Sequence, residues 1–199
     1  MDGSLRSHES VLPTLGRAGH FRLESGHHSR LWYDLDALFA EPRRIEPLVT
    51  RLSNAMRPHD VAVVCGPLLG GAFLAQLVSH ALGVAFCFTE RGTTVQGDSL
   101  YEARYRLPSA LTNQVRAKRC AIVDDVMSAG SALRGTYLEL QRHGAVVVVV
   151  GALWVLGDAG ARFFAQAGVP LEAVAREEFQ LWPPRECPLC AAGAPLEEP

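Results

Sequence analysis

The run from Cys120 to Leu133, CAIVDDVMSAGSAL, constrains this chain more than any other stretch. An apolar segment ends in two adjacent carboxylates, Asp124 and Asp125. A loop of small residues follows, Ser128 to Ser131, and then a helix-like segment from Ala132 to about His143. Strand, tight loop and helix in that order place backbone N–H groups at a helix N-terminus, where an anion docks. Paired aspartates just before such a site accept hydrogen bonds from vicinal hydroxyls, or approach a divalent cation shared with the ligand. The loop lacks a Gly-Lys-Ser/Thr ending, so it is not a nucleoside-triphosphate P-loop.

A ligand with a phosphate at one end and a cis-diol at the other is a 5-phosphoribosyl group. The block is similar to the phosphoribosyl-pyrophosphate (PRPP) signature of the type I phosphoribosyltransferases. That resemblance implies an α/β fold, a central mainly parallel sheet flanked by helices with a small hood. It also implies PRPP binding by Asp124, Asp125, Val126, Met127, Ser128, Ala129, Gly130 and Ser131.

The rest of the chain reads consistently with that fold. Residues 5–18 suggest a short helix carrying Leu5, Val11, Leu12 and Leu15. Phe21, Leu23, Leu31 and Tyr33 alternate with polar residues as in two strands, joined by turn chemistry at Ser25-Gly26. A helix begins at Glu41-Pro42 and runs to about Met56, with Pro42 tolerated in the first turn. The short apolar run Val61–Cys65 is a buried-strand candidate that empties into Gly66-Pro67-Leu68-Leu69-Gly70-Gly71, with a helix from Ala72 to Leu82. Glycines at such a turn let the backbone approach a second anion. Strands are also expected at 84–88, 145–152 and 171–175, with a helix over 157–167. Alternating strands and helices argue for a parallel sheet with ligands at the strand C-terminal ends.

The hairpin string Gly19-His-Phe-Arg-Leu-Glu-Ser-Gly-His-His-Ser29 resembles the hood of the orotate phosphoribosyltransferases, which covers the base. The tail around Cys187-Pro-Leu-Cys190 resembles the ending of a bacterial subgroup of the same family. The implied organisation is a hood segment at 1–40, a core at 41–178 with a flexible lid at about 91–117, and a tail at 179–199. The resemblance implies that residues 66–71 grip pyrophosphate, with a cis peptide at Leu68–Leu69. It makes Arg91 and Arg104 candidate lid cations, catalytic together with Asp124 and Asp125. A base pocket of Trp32, Tyr33, Ser128, Val155 and Leu156 completes the site, with Trp154 nearby. The implied reaction joins PRPP and a nucleobase, here orotate, giving orotidine 5′-monophosphate and pyrophosphate, with Mg²⁺ on the pyrophosphate.

Several cations of the family pattern are replaced. Glu24 stands where Lys or Arg is usual, Gly70 where many members have Lys, and Val155-Leu156 where an Arg grips the orotate carboxylate. Arg91 stands at the lid's first Lys, and no His follows in the lid. A poor orotate enzyme, a transferase for another base, or a catalytically weak PRPP- or nucleotide-binding regulator are the readings this leaves.

Composition sets the remaining bounds. At 199 residues, one domain with a sizeable core is expected. A formal net charge of −2 gives no electrostatic case for nucleic acid or an anionic membrane. No apolar run approaches the roughly 20 residues that span a bilayer, and the first residues lack the pattern of a signal peptide. Five cysteines, with Cys65, Cys87 and Cys120 in apolar runs, suit a reducing cytoplasm rather than a disulfide framework. One Cys-x-x-Cys pair without a second falls short of the four ligands of structural zinc, and a metal would need a partner chain or distant histidines; a turn that pins the tail, or a redox-labile pair, is expected instead of a zinc site within one chain. A homodimer is expected from the resemblance.

Overall fold

The structure, a computed structural model, describes residues 16–92 and 104–198. A hairpin of β1 (Gly16–Arg22) and β2 (His28–Tyr33) comes first, antiparallel, with Gly26 at φ 79° in its turn. Helices α1 (Asp36–Phe39) and α2 (Pro42–Met56) follow, then β3 (Val63–Pro67), α3 (Gly70–Leu82) and β4 (Ala85–Arg91). The remaining elements are β5 (Tyr105–Arg106), α4 (Thr112–Val115), β6 (Arg119–Met127), α5 (Ser131–Arg142), β7 (Val146–Leu156), α6 (Ala159–Gln166), β8 (Leu171–Glu177) and α7 (Pro188–Ala191).

Six strands form one sheet in the order β5-β4-β3-β6-β7-β8, parallel throughout except for the short β5. The apolar runs of β3, β6 and β7 are sandwiched because both faces of the sheet are covered. On one face α2 contributes Ile45, Leu48, Leu52 and Met56, one per helical turn, and α3 contributes Leu74 and Val78. On the other face α5 and α6 contribute Leu133, Leu140 and Phe164 against Cys65, Ile122 and Val150. The chain runs from β3 outward to β4, then returns to place β6 on the opposite side of β3. That reversal opens a crevice between the C-terminal ends of β3 and β6, where ligands of open α/β sheets bind.

Several expectations are corrected. Gly16 to Ala18 belong to β1 rather than to a helix over 5–18, and the rest of that helix lies outside the described residues. The strand expected at 145–152 continues to Leu156, because Trp154, Val155 and Leu156 pair with β8 and are buried. Of the long loop expected after β4, residues 93–103 lie outside the described residues, while 105–115 hold β5, a 3₁₀ turn and α4.

The turn after β3 depends on small residues. A Cβ on Gly66 would lie 1.9 Å from the carbonyl oxygen of Gly71, which is backbone and cannot swing away. Gly66→Ala is therefore expected to destabilise the protein by about 1–3 kcal/mol or more, through displacement of the β3–α3 turn. Urea denaturation checks this, and a midpoint equal to that of the unmodified protein would contradict it.

Candidate functional site

The loops leaving β3 and β6 converge, as the strand reversal requires, on a cavity of about 360 Å³. The hairpin forms one wall with Leu23, Glu24, Ser25, Leu31, Trp32 and Tyr33. The β3–α3 turn contributes Pro67, Leu68, Leu69 and Gly70, and the peptide between Leu68 and Leu69 is cis. From β6 and the following loop come Asp124, Asp125, Val126, Ser128, Gly130 and Ser131. Leu156 at the end of β7 and Phe179 from the tail close the far side.

Asp124 and Asp125 sit at the end of β6, where the apolar strand delivers them into the crevice. The N–H of Asp125 donates to Asp124 Oδ1 at 3.1 Å, and the N–H of Val126 donates to Asp125 Oδ1 at 2.7 Å. Burial pushes the Asp124 carboxyl well above the usual range, and the charges of Asp125 and Glu24 push it further. Burial raises Asp125 to about 6, with the Val126 amide pulling the other way. The turn after β3 is small because these carboxylates fill the space beside it. A Cβ on Gly71 would lie 2.7 Å from Asp124 Oδ1, and one on Gly70 would lie 2.2 Å from Asp125 Oδ2.

The β6–α5 loop ends at Gly130, whose φ of 77° is left-handed, and no side chain caps the N-terminus of α5. The first amides of that helix thus face the cavity without intrahelical partners, an arrangement suited to an anion. Of the residues expected to bind PRPP, Met127 and Ala129 are buried at 1% exposure and do not line the cavity. They can contribute only backbone. Gly66 and Gly71 shape the β3–α3 turn from behind rather than lining it.

Glu24 is the unexpected centre of the other wall. Its carboxylate accepts hydrogen bonds from Tyr105 Oη at 2.7 Å and from Ser131 Oγ at 2.9 Å, and Arg91 Nε lies 3.4 Å away. Burial, and then the Glu24 charge, drives the Tyr105 hydroxyl far above its ordinary range, so Tyr105 remains a donor. Arg91 therefore meets Glu24 and does not line the cavity. Arg104, whose carbonyl accepts the Gly92 N–H at 2.8 Å, does not line it either.

The base pocket read from sequence needs one correction. Val155 is 1% exposed and packs on the opposite sheet face with Met127 and Phe164, because neighbouring strand residues point to opposite sides. Trp154 is likewise core. Leu156, Trp32, Tyr33 and Ser128 do line the cavity. Tyr105 and Phe179 were not singled out from sequence. Tyr105 lies in a stretch without periodicity, and Phe179 is brought back by the tail to pack 6.3 Å, centroid to centroid, from Tyr33. The charged residues lining the cavity, among the described residues, are Glu24, Asp124 and Asp125, all acidic.

Comparison with known proteins places this geometry. Residues 35–170 match the family described as "Phosphoribosyl transferase domain". The orotate phosphoribosyltransferase of Thermotoga petrophila is 30% identical over 181 residues, covering 91% of this chain and 89% of the relative. That of a Thermus thermophilus strain is 33% identical over 180 residues, 90% of this chain and 91% of the relative. Among solved structures, orotate phosphoribosyltransferase from Aeropyrum pernix superposes with a TM-score of 0.63 at 21% identity, covering 82% of this chain and 88% of that one. Adenine phosphoribosyl transferase from Trypanosoma brucei, solved with AMP, pyrophosphate and ribose-5-phosphate, gives 0.66 at 16% identity, covering 88% and 81%. These structural likenesses show the fold.

The carboxylates set a pH dependence whose sign follows from their raised values. A carboxyl raised on folding stabilises the protein below its unfolded value, about 4, and loses that contribution as pH climbs through about 6. Without ligand, Asp125→Asn is therefore expected to raise the Tm at neutral pH and to change it little near pH 4. Thermal denaturation at both pH values checks this. A variant less stable than the unmodified protein at neutral pH would contradict the assignment of a strained carboxylate.

Proposed function

Because the chain belongs to the phosphoribosyltransferase family and has its type I fold, we propose that it transfers the 5-phosphoribosyl group of PRPP to a nucleobase. It would act as an orotate phosphoribosyltransferase-like enzyme of pyrimidine nucleotide biosynthesis. The observation that carries this reading is the meeting of the buried Asp124 and the half-buried Asp125 with an uncapped helix N-terminus and a glycine turn on one cavity. In the reaction a base nitrogen attacks the anomeric carbon, and the bond to pyrophosphate breaks with its electron pair leaving on the pyrophosphate oxygen. Positive charge develops on the ribose ring while negative charge grows on the leaving group, so orientation and electrostatics supply the rate.

Asp124 and Asp125 hold the ribose hydroxyls in this reading, and the 126–131 loop receives the 5′-phosphate. The 66–71 turn receives pyrophosphate, whose oxygens meet backbone rather than a lysine at Gly70. Mg²⁺ fits here, because two adjacent carboxylates held above their usual range face a cavity with no cation among its described lining residues. Bound with the pyrophosphate, it would supply positive charge to the leaving group. Arg91 and Arg104 are positioned beside the 93–103 segment as candidate lid cations, Arg91 after release from Glu24. A homodimer and a cytoplasmic location accompany the proposal; among the described residues no helix is long and apolar enough to cross a membrane.

The acceptor pocket is the part of this reading that we take to be altered. Orotate is the acceptor that the relatives' names suggest. Its carboxylate would meet Leu156 and the Glu24 carboxylate, with no cation among the described lining residues to replace its hydration. Losing an Arg–carboxylate hydrogen bond costs about 1.5–3 kcal/mol, before any penalty for the stranded charge. A base without a carboxylate, offering N–H groups to Glu24 and an apolar face to Leu156, Tyr33 and Phe179, suits the lining better. The hold of Glu24 on Ser131, at the mouth of the anion loop, favours a second reading, a PRPP- or nucleotide-binding regulator of weak activity.

Pyrophosphate release from PRPP and Mg²⁺ with a panel of bases tests the proposal. Release is expected with at least one base, and orotate turnover is expected to be poor. Leu156→Arg should raise orotate kcat/KM by about tenfold or more, since Leu156 lines the cavity and Val155 does not. No release with any base would favour the regulator. Efficient orotate turnover by the unmodified chain would overturn the account of the acceptor pocket.

A further inference from the structure

The hairpin and the tail meet at a second cluster, away from the cavity. His20 on β1 and His28 on β2 face Cys187 and Cys190, and one ligating atom from each lies within 4.8 Å of all the others. His20 Nε2 is 3.0 Å from His28 Nδ1, 3.5 Å from Cys187 Sγ and 3.6 Å from Cys190 Sγ. Cys190 Sγ is 3.2 Å from His28 Nδ1. We propose that these four side chains form a Cys₂His₂ zinc site that fastens the C-terminal tail to the hairpin.

The geometry matches what the ion requires. With Zn–N of about 2.0–2.1 Å and Zn–S of about 2.3 Å, a tetrahedral site has ligand–ligand edges of roughly 3.3–3.8 Å. Four of the six ligand–ligand separations, 3.0 to 3.6 Å, are already close to that scale, and all six lie within 4.8 Å, so closing on an ion takes movements of up to about 1 Å. His20 Nδ1 lies 3.0 Å from the carbonyl oxygen of Ala194. A carbonyl only accepts, so the hydrogen sits on Nδ1 and Nε2 turns its lone pair toward the cluster, the support that metal-bound histidines ordinarily have. The cysteines form no disulfide, and Cys187 is 3% exposed.

The backbone shows what the ion would hold together. The Arg22 N–H donates to Glu197 O at 2.8 Å, and the Glu197 N–H donates to His20 O at 2.8 Å. His28 and Trp182 exchange N–H···O bonds of 2.8 and 3.0 Å. The tail thus runs along both edges of a two-stranded hairpin, a unit that is marginal by itself in water. One ion binding both strands and the tail would rigidify the wall that carries Leu23, Glu24 and Tyr33 into the cavity. Sequence alone offered one cysteine pair; the fold supplies its partners, His20 lying 167 positions before Cys187 and His28 lying 162 before Cys190.

The test uses the full chain, purified untagged under reducing conditions. Elemental analysis is expected to find near-stoichiometric zinc. After chelation, Co²⁺ should restore the visible absorption of a tetrahedral thiolate site, and the Tm should fall on chelation and recover with Zn²⁺. Cys190→Ser should lose the metal while keeping the circular dichroism of the core. Should that variant not fold, the Co²⁺ titration of the unmodified chain decides by itself. A chain that retains no metal and gives no tetrahedral cobalt spectrum would overturn the proposal, as would zinc retained undiminished by Cys190→Ser.

Discussion

A carboxylate taken out of water destabilises a fold by several kcal/mol unless a cation or donors replace its hydration. The end of β6 holds two side by side, Asp124 buried and Asp125 half-buried, both raised above the usual range chiefly by desolvation. Much of the surrounding structure follows from accommodating them. Gly70 and Gly71 carry no side chain because a Cβ at either would strike an aspartate oxygen. The Val126 amide turns back onto Asp125, and the strand then yields to a left-handed glycine that starts α5. The sheet reversal between β3 and β6 places all of this at one crevice. A site built in this way is poor in positive charge and suited to a ligand that brings hydroxyl donors and a cation with it.

Against that acidic floor the hairpin adds a third carboxylate. Glu24 is stable there because Tyr105, Ser131 and Arg91 surround it with donors. The Arg91 pair is more than half exposed on the arginine side, so it contributes little by itself. The hydroxyl bonds matter more, since they tie the hairpin to β5 and to the first residue of α5. One side chain thereby joins the hairpin wall to Ser131, where the proposal places the phosphate.

The sequence carried the local parts of this arrangement. The Cys120–Ser131 run announced strand, acidic pair, loop and helix because each is written in consecutive residues, and the glycine turn after β3 did the same. Register was harder to read. The apolar run through Val155-Leu156 continues the 145–152 strand paired with β8, and strand alternation then turns Leu156 to the cavity side, where it also packs in the core, and Val155 to the opposite face. Contacts between distant segments were not legible at all. Tyr105 to Glu24 spans 81 positions and His20 to Cys187 spans 167, and no periodicity encodes such pairings.

The central claim is that the β6–α5 segment binds the phosphoribosyl group through Asp124 and Asp125. Titration calorimetry of PRPP with Mg²⁺, on the unmodified chain and on a folded Asp124→Asn/Asp125→Asn variant, tests it most directly. Each charge-assisted hydrogen bond lost should cost about 1.5–3 kcal/mol, so affinity should fall at least roughly tenfold. Unchanged PRPP affinity in the double variant would contradict the account.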